Sequence, residues 1–116
     1  MNIQETIEKA PHTGVILVDR AGIPDALELT ATNSSAASYL TRFRDDTWPD
    51  ARYLLLHYGV GGWVYWACRD AIDLRHDTAR VLERLPDAPV PWFICASAET
   101  MEILKPLKLS RGGSLH

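Results

Sequence analysis

The chain is poor in cysteine and lysine, and none of its apolar runs approaches the ~18 to 20 residues needed to span a bilayer. Each scarcity removes a class of protein. Two cysteines, Cys68 and Cys95, are too few for a disulfide framework. Both lie in apolar, strand-like runs, where a reduced thiol behaves as a small hydrophobe, so a cytoplasmic setting is expected. The opening residues Met1 to Lys9 lack a basic start followed by an apolar core, so no export signal is expected either. Twelve basic residues against fifteen acidic ones leave a net charge of −3 and no concentrated positive surface, which argues against direct nucleic-acid binding. The acidic residues are too scattered for a nucleic-acid mimic, the densest group being Asp45-Asp46 with Asp50. Gly-x-Gly-x-x-Gly, a P-loop ending and His-Glu-x-x-His are all missing, so no cofactor, metal site or catalytic residue is expected.

What remains is an ordinary globular composition, 47% hydrophobic and 23% charged over 116 residues, enough to bury one core without staples. A single domain is expected over 1–109, followed by a tail, 110–116, with two glycines and little to bury. Nine arginines against three lysines, with abundant Ala and Asp, resemble the usage of GC-rich bacterial genomes.

The best-specified segment runs from Tyr53 to Cys68. Two β-prone, aromatic-rich stretches flank Gly59-Val60-Gly61-Gly62, which predicts a hairpin turning at Val60-Gly61. Residues whose numbers sum to 121 then pair. One face carries Leu54, Leu56, Tyr58, Trp63, Tyr65 and Ala67, and the other carries Tyr53, Leu55, His57, Val64, Trp66 and Cys68. Both faces are mostly apolar, so the hairpin is expected to be covered on both sides, by helices or by a second subunit.

Around it, Ile3 and Ile7 suggest a short helix ending at Pro11, and Gly14 to Asp19 reads as a strand buried on both faces. Ile23 to Thr32 is ambiguous; a returning strand over Ala26 to Thr30 is favoured over a helix opened by Pro24-Asp25. Asn33, Ser34 and Ser35 offer N-caps for a helix to about Arg44. Asp70, Asp73 or Asp77 starts another helix, with Ala79, Leu82 and Leu85 as its apolar stripe. The stiff segment Pro86 to Pro91 leads to a strand over Trp92 to Ala96. Ser97 then caps a helix over Ala98 to Lys105 containing Met101 and Leu104. The fold class is therefore α+β, or mixed α/β: one sheet of four to five strands containing a central hairpin, flanked by three to four helices. The stretch Ile3 to Leu40, with Gly14-Val15-Ile16-Leu17-Val18-Asp19-Arg20-Ala21-Gly22, resembles the first third of roadblock/LC7 domains, which begin helix, strand, turn, strand, helix. That resemblance implies a dimeric regulatory scaffold; beyond the hairpin the element order departs from it.

Three groupings carry potential chemistry. Asp70, Asp73 and Asp77 share a helix face with His76 beside them, a spacing open to a divalent cation but equally that of helix-capping carboxylates, which is the reading preferred. His57 and Cys68 share a hairpin face, yet the predicted register separates them by roughly 13 Å, too far for an activated thiolate. Of four tryptophans, Trp66 and Trp92 are assigned to the core. Trp48 with Asp45 and Asp46 of the same loop, and Trp63 at the hairpin mouth, are the candidate partner-binding residues. The expected function is that of a small non-enzymatic bacterial accessory protein binding another protein, as inhibitor or regulator, for example from a phage or plasmid. The alternative is a small enzyme or ligand-binding domain with a pocket lined by His57, Asp70, Asp73 or His76 under Trp66.

Overall fold

A computed structural model describes residues 14–59, 61–85, 90–107 and 114–115. The fully buried run Val15–Asp19 forms β1 and lies at the centre of a mixed sheet. On one side it pairs antiparallel with β2 (Tyr53–Gly59), which pairs antiparallel with β3 (Gly62–Cys68). On the other it pairs parallel with β4 (Trp92–Cys95), which carries the two-residue β5 (Ser114–Leu115), giving the order β3-β2-β1-β4-β5. The α+β class is as expected. The first ten residues, the Pro86–Pro89 connector and most of the tail lie outside the described residues.

The hairpin has the register that its sequence predicts, from Tyr53 opposite Cys68 to Gly59 opposite Gly62. Gly62 has φ +113, a conformation closed to side chains with a Cβ, which is why the turn needs glycine there. Its two faces enter two separate cores. Leu54, Leu56, Trp63, Tyr65 and Ala67 join Ile16, Val18 and Phe93 under one helical layer; Tyr53, Leu55, Trp66 and Cys68 join Val15, Leu17 and Trp92 under the other. The hairpin is thus covered by the chain's own helices, although it forms one side of the sheet rather than its middle. Helices about 10 Å across overhang an edge strand, so two-sided burial does not require a central place.

The first layer holds α1 (Ile23–Leu29) and α2 (Ser34–Arg44). α1 corrects the expected strand at Ala26 to Thr30. Pro24 sits in its first turn, Ile23 and Ala26 are its buried positions, and Thr30 folds its hydroxyl back to the Ala26 carbonyl at 2.9 Å. The segment where the roadblock/LC7 resemblance implies a second strand is therefore helical. Asn33 caps α2, accepting from Ala36 N at 3.1 Å.

The second layer holds α3 (Ala71–Arg84) and α4 (Ala98–Leu104). Asp70 caps α3, accepting from Asp73 N at 2.8 Å. The buried stripe is Leu74, Thr78, Val81 and Leu85 rather than Ala79, Leu82 and Leu85, because the start at Asp70 sets the phase. Ser97 caps α4 as expected. Among the described residues no helix is long and apolar enough to cross a membrane.

The end of β1 ties these layers together. Asp19, 7% exposed, accepts from Gly22 N at 3.0 Å and, at 2.8 Å each, from Ser97 N, Ser97 Oγ and Thr100 Oγ1. Burial pushes its carboxyl pKa up, but the bonds from Ser97, Thr100 and Gly22 outweigh burial and hold it below the ordinary aspartate value. Arg20 leaves toward the other layer, donating to the Phe43 carbonyl at 2.7 Å and to the Ala51 carbonyl at 3.4 Å, with its guanidinium 4.4 Å from the Phe43 ring centroid.

Two outcomes follow. Asp19→Ala is expected to cost about 3 kcal/mol at neutral pH, since it leaves several buried donors unpaired. Because the folded pKa is depressed, that difference from wild type persists above the ordinary aspartate range and fades as pH falls through the lower folded value; urea denaturation at several pH values measures it. Gly22→Ala is expected to destabilise by about 3 kcal/mol or more, because a Cβ there collides with the Cys95 carbonyl; an unchanged urea midpoint would contradict the packing.

Candidate interaction site

α2 ends in a Schellman turn. Thr47 N donates to the Arg42 carbonyl at 3.0 Å and Asp46 N to the Phe43 carbonyl at 3.3 Å, with Asp46 in the left-handed region at φ 59. Asp46 Oδ1 then meets Arg20 Nη2 at 2.8 Å, and Asp45 forms an exposed pair with Arg44 at 3.0 Å. Both acidic residues singled out from the sequence thus belong to the stop signal of α2 and to its tether. The turn throws Trp48 back over the sheet.

There Trp48 meets Tyr65 of β3, ring centroids 4.7 Å apart, and Tyr65 meets Tyr39 of α2 at 4.9 Å. Arg42, one helical turn after Tyr39, lays its guanidinium across all three rings, at 4.8 Å from Trp48, 5.8 Å from Tyr39 and 5.9 Å from Tyr65. The rings are half-buried and Arg42 is exposed. Among the described residues no carboxylate lies within ion-pair distance of Arg42.

Alongside run two open, adjoining hollows. One, of about 310 Å³, is lined by Ser34, Ser35, Ser38, Tyr39 and Arg42. The other, of about 330 Å³, is lined by Thr32, Asn33, Ser34, Ser35, Tyr58, Gly62 and Trp63. Trp63 forms part of that floor rather than an exposed anchor: it is 9% exposed and packed edge-on to Tyr58 at 5.8 Å. Trp92 is fully buried, and Trp66 is half-buried beneath the Arg84 guanidinium at 5.2 Å.

The sequence singled out Trp48 of this cluster, and not Tyr39, Arg42 or Tyr65. The helical i, i+3 spacing of Tyr39 and Arg42, and the placing of Tyr65 on the hairpin face of Trp63, were the available signals.

The groups with catalytic potential stand apart from this surface, and His57 stands apart from the aspartates of α3. His57 is buried; burial lowers its pKa and the Arg84 charge adds to this, against a hydrogen bond with the Tyr58 backbone. Asp70 and Asp73 lie toward the opposite end of α3 from Arg84, about 21 and 16 Å away at 1.5 Å per residue. Asp73 pairs with Arg69 at 3.1 Å, and His76 is exposed. Cys68 Sγ donates to Asp77 Oδ2 at 3.2 Å; burial, that bond and the surrounding Asp77, Asp73 and Asp70 charges push the thiol far above its ordinary pKa. Among the described residues no three His, Cys, Asp or Glu side chains gather to hold a metal ion.

Comparison with family models, with curated proteins and with solved structures finds no match.

Thiol chemistry checks the electrostatics. Burial, followed by the Asp25 and Asp19 charges, raises Cys95 to about 11, and Cys68 lies higher still. At pH 8 both are expected to resist iodoacetamide in the folded chain and to react once it is unfolded in urea, because only the thiolate attacks. Rapid alkylation of Cys68 in the native state would refute the Asp77 arrangement.

Proposed function

We propose that the chain is a small bacterial, cytoplasmic accessory protein that acts by binding another protein, without catalysis, as an inhibitor or regulator of the sort carried by mobile elements. The observation that carries this reading is Arg42, spread over Trp48, Tyr39 and Tyr65 with no acidic partner among the described residues. Arginine and large aromatics are the residue types in which binding energy concentrates at protein interfaces. A guanidinium already oriented by stacking loses little freedom when a partner's carboxylate or backbone carbonyl approaches. The polar groove of Ser34, Ser35 and Ser38 beside it supplies a rim of hydrogen-bonding groups.

The competing reading, an enzyme or ligand-binding domain built on His57, Asp70, Asp73 or His76, draws less support. Its groups are buried without a charge partner, engaged in capping and ion pairs, or distant from one another.

Affinity capture from the native host tests the proposal. Arg42→Ala and Trp48→Ala are each expected to reduce recovery of the partner at least about tenfold, the effect of losing ~1.4 kcal/mol, while keeping the wild-type near-ultraviolet circular dichroism of their remaining aromatics. Capture no better than a tag-only control, or equal capture by folded variants, overturns it.

A further inference from the structure

β3 ends the sheet with its outer side unpaired among the described residues, and it carries no charge and no proline to guard that side. The far edge ends instead on the two-residue β5. Gly59 and Gly62 face each other across a two-residue loop, which makes them the hydrogen-bonded pair that closes the hairpin. Bonded and open positions alternate from there, so Gly62, Val64, Trp66 and Cys68 direct their backbone groups at β2, and Trp63, Tyr65 and Ala67 turn theirs outward. Cys68 fits this phase, its carbonyl accepting from Arg52 N at 2.8 Å.

The middle of this open strand is flanked by positive charge. Arg42 lies 5.9 Å from the Tyr65 ring centroid on one face of β3, and Arg84 lies 5.2 Å from that of Trp66, the next residue, on the other. Among the described residues neither guanidinium has a carboxylate within ion-pair distance. Toward Cys68 the sign reverses: Asp77 accepts from Cys68, and Asp73 pairs with Arg69. On the Arg42 face the two hollows follow β3, one bounded by Gly62 and Trp63 and the other by Tyr39 and Arg42, which meet Tyr65. Trp63 and Tyr65 are two residues apart, so the residues opposite them on an added strand face those hollows, roughly 7 Å from each other at ~3.4 Å per residue.

We propose that the partner bound at the Arg42 surface enters as an extended acidic segment, added as a further strand along β3, with carboxylates on two consecutive residues opposite Tyr65 and Trp66. This rests on the protein-binding reading of that surface and specifies how the partner is held. Consecutive strand residues point to opposite faces, so one carboxylate reaches Arg42 and the next reaches Arg84. The open N–H and C=O groups of Trp63, Tyr65 and Ala67 supply affinity, and the two arginines set the register. The aspartates near Cys68 exclude further carboxylates from that end. The occupant is an acidic segment rather than the β3 of a second copy, because β3 brings no carboxylate to the two arginines.

The test titrates a short blocked peptide, two central glutamates flanked by valine and threonine, into the isotope-labelled chain and follows its amide resonances. Shifts are expected at Trp63, Tyr65 and Ala67, with binding that weakens as salt is added. Exchanging the two glutamates for lysines, or Arg84→Glu in the chain, is expected to weaken binding at least about tenfold. Methylating the backbone nitrogens of one alternate set of peptide residues is expected to abolish binding, and methylating the other set to leave it, because only one set faces β3. Ala67→Pro removes an outward N–H without touching the ladder to β2, and is expected to weaken binding at least about tenfold while keeping the wild-type melting curve. No shifts at millimolar peptide, equal binding of the lysine peptide, or indifference to both methylated sets overturns strand addition. A wild-type dimer that a folded Ala67→Pro chain cannot form overturns it too, since a second copy then occupies the edge. Capture from the host that needs Arg42 but is undiminished in a folded Ala67→Pro chain overturns strand addition while leaving the Arg42 reading in place. Should Ala67→Pro fail to fold, the methylated peptides decide alone.

Discussion

Asp19 and Arg20, adjacent and oppositely charged, leave the end of the central strand toward opposite faces of the sheet, and each meets a helix pole of opposite sign. Asp19 receives the first-turn donors of α4, where unpaired N–H groups carry partial positive charge. Arg20 donates to a last-turn carbonyl of α2, where the partial charge is negative. A buried carboxylate alone would be costly to desolvate, but four hydrogen bonds satisfy it. Gly22 completes the arrangement by letting the backbone pass against the Cys95 carbonyl, so that the turn after β1 and the end of β4 close on each other.

The exposed aromatic surface is downstream of this constraint. Arg20 holds the end of α2 through Phe43 and clasps Asp46, the residue in the left-handed position of the Schellman turn. That turn determines where Trp48 emerges, and Trp48 against Tyr65 is one wall of the cluster over which Arg42 lies. Residues at the surface are thereby positioned by a charge anchored at the sheet's centre. Other carboxylates are tied into the same construction: Asp70 as a cap, Asp77 as the acceptor for Cys68 and Asp19 as the clasp of α4.

Where side-chain pattern and turn chemistry agreed, the fold was legible before any coordinates. The hairpin register, the double burial of β1, the start of α2 near Asn33 and the Ser97 cap all rest on local rules. Ala26 to Thr30 was misread because Leu27-Glu28-Leu29-Thr30 alternates apolar and polar residues as a strand does, and only Pro24 and the Asp19–Gly22 turn reveal a helix. Trp63 was expected outside because turns are exposed, yet the turn ends one residue before it and its side chain enters the first core. The Arg42 cluster was hardest to foresee. Its members come from α2, the following loop and β3, and no local pattern encodes their meeting.

The bonds between Asp19 and Ser97 span 78 residues of chain, and they bear on how the molecule is made. During synthesis the hairpin and its pairing with β1 can form early, since β1, β2 and β3 lie within the first 68 residues. The other side of β1 must wait for β4, and Asp19 must wait for the helix whose donors it accepts. Until then the most apolar strand of the protein has one bare edge and a carboxylate with most of its partners missing, which keeps that end hydrated. Closing the long loop both desolvates the carboxylate and supplies its donors, which couples the docking of β4 to that of α4.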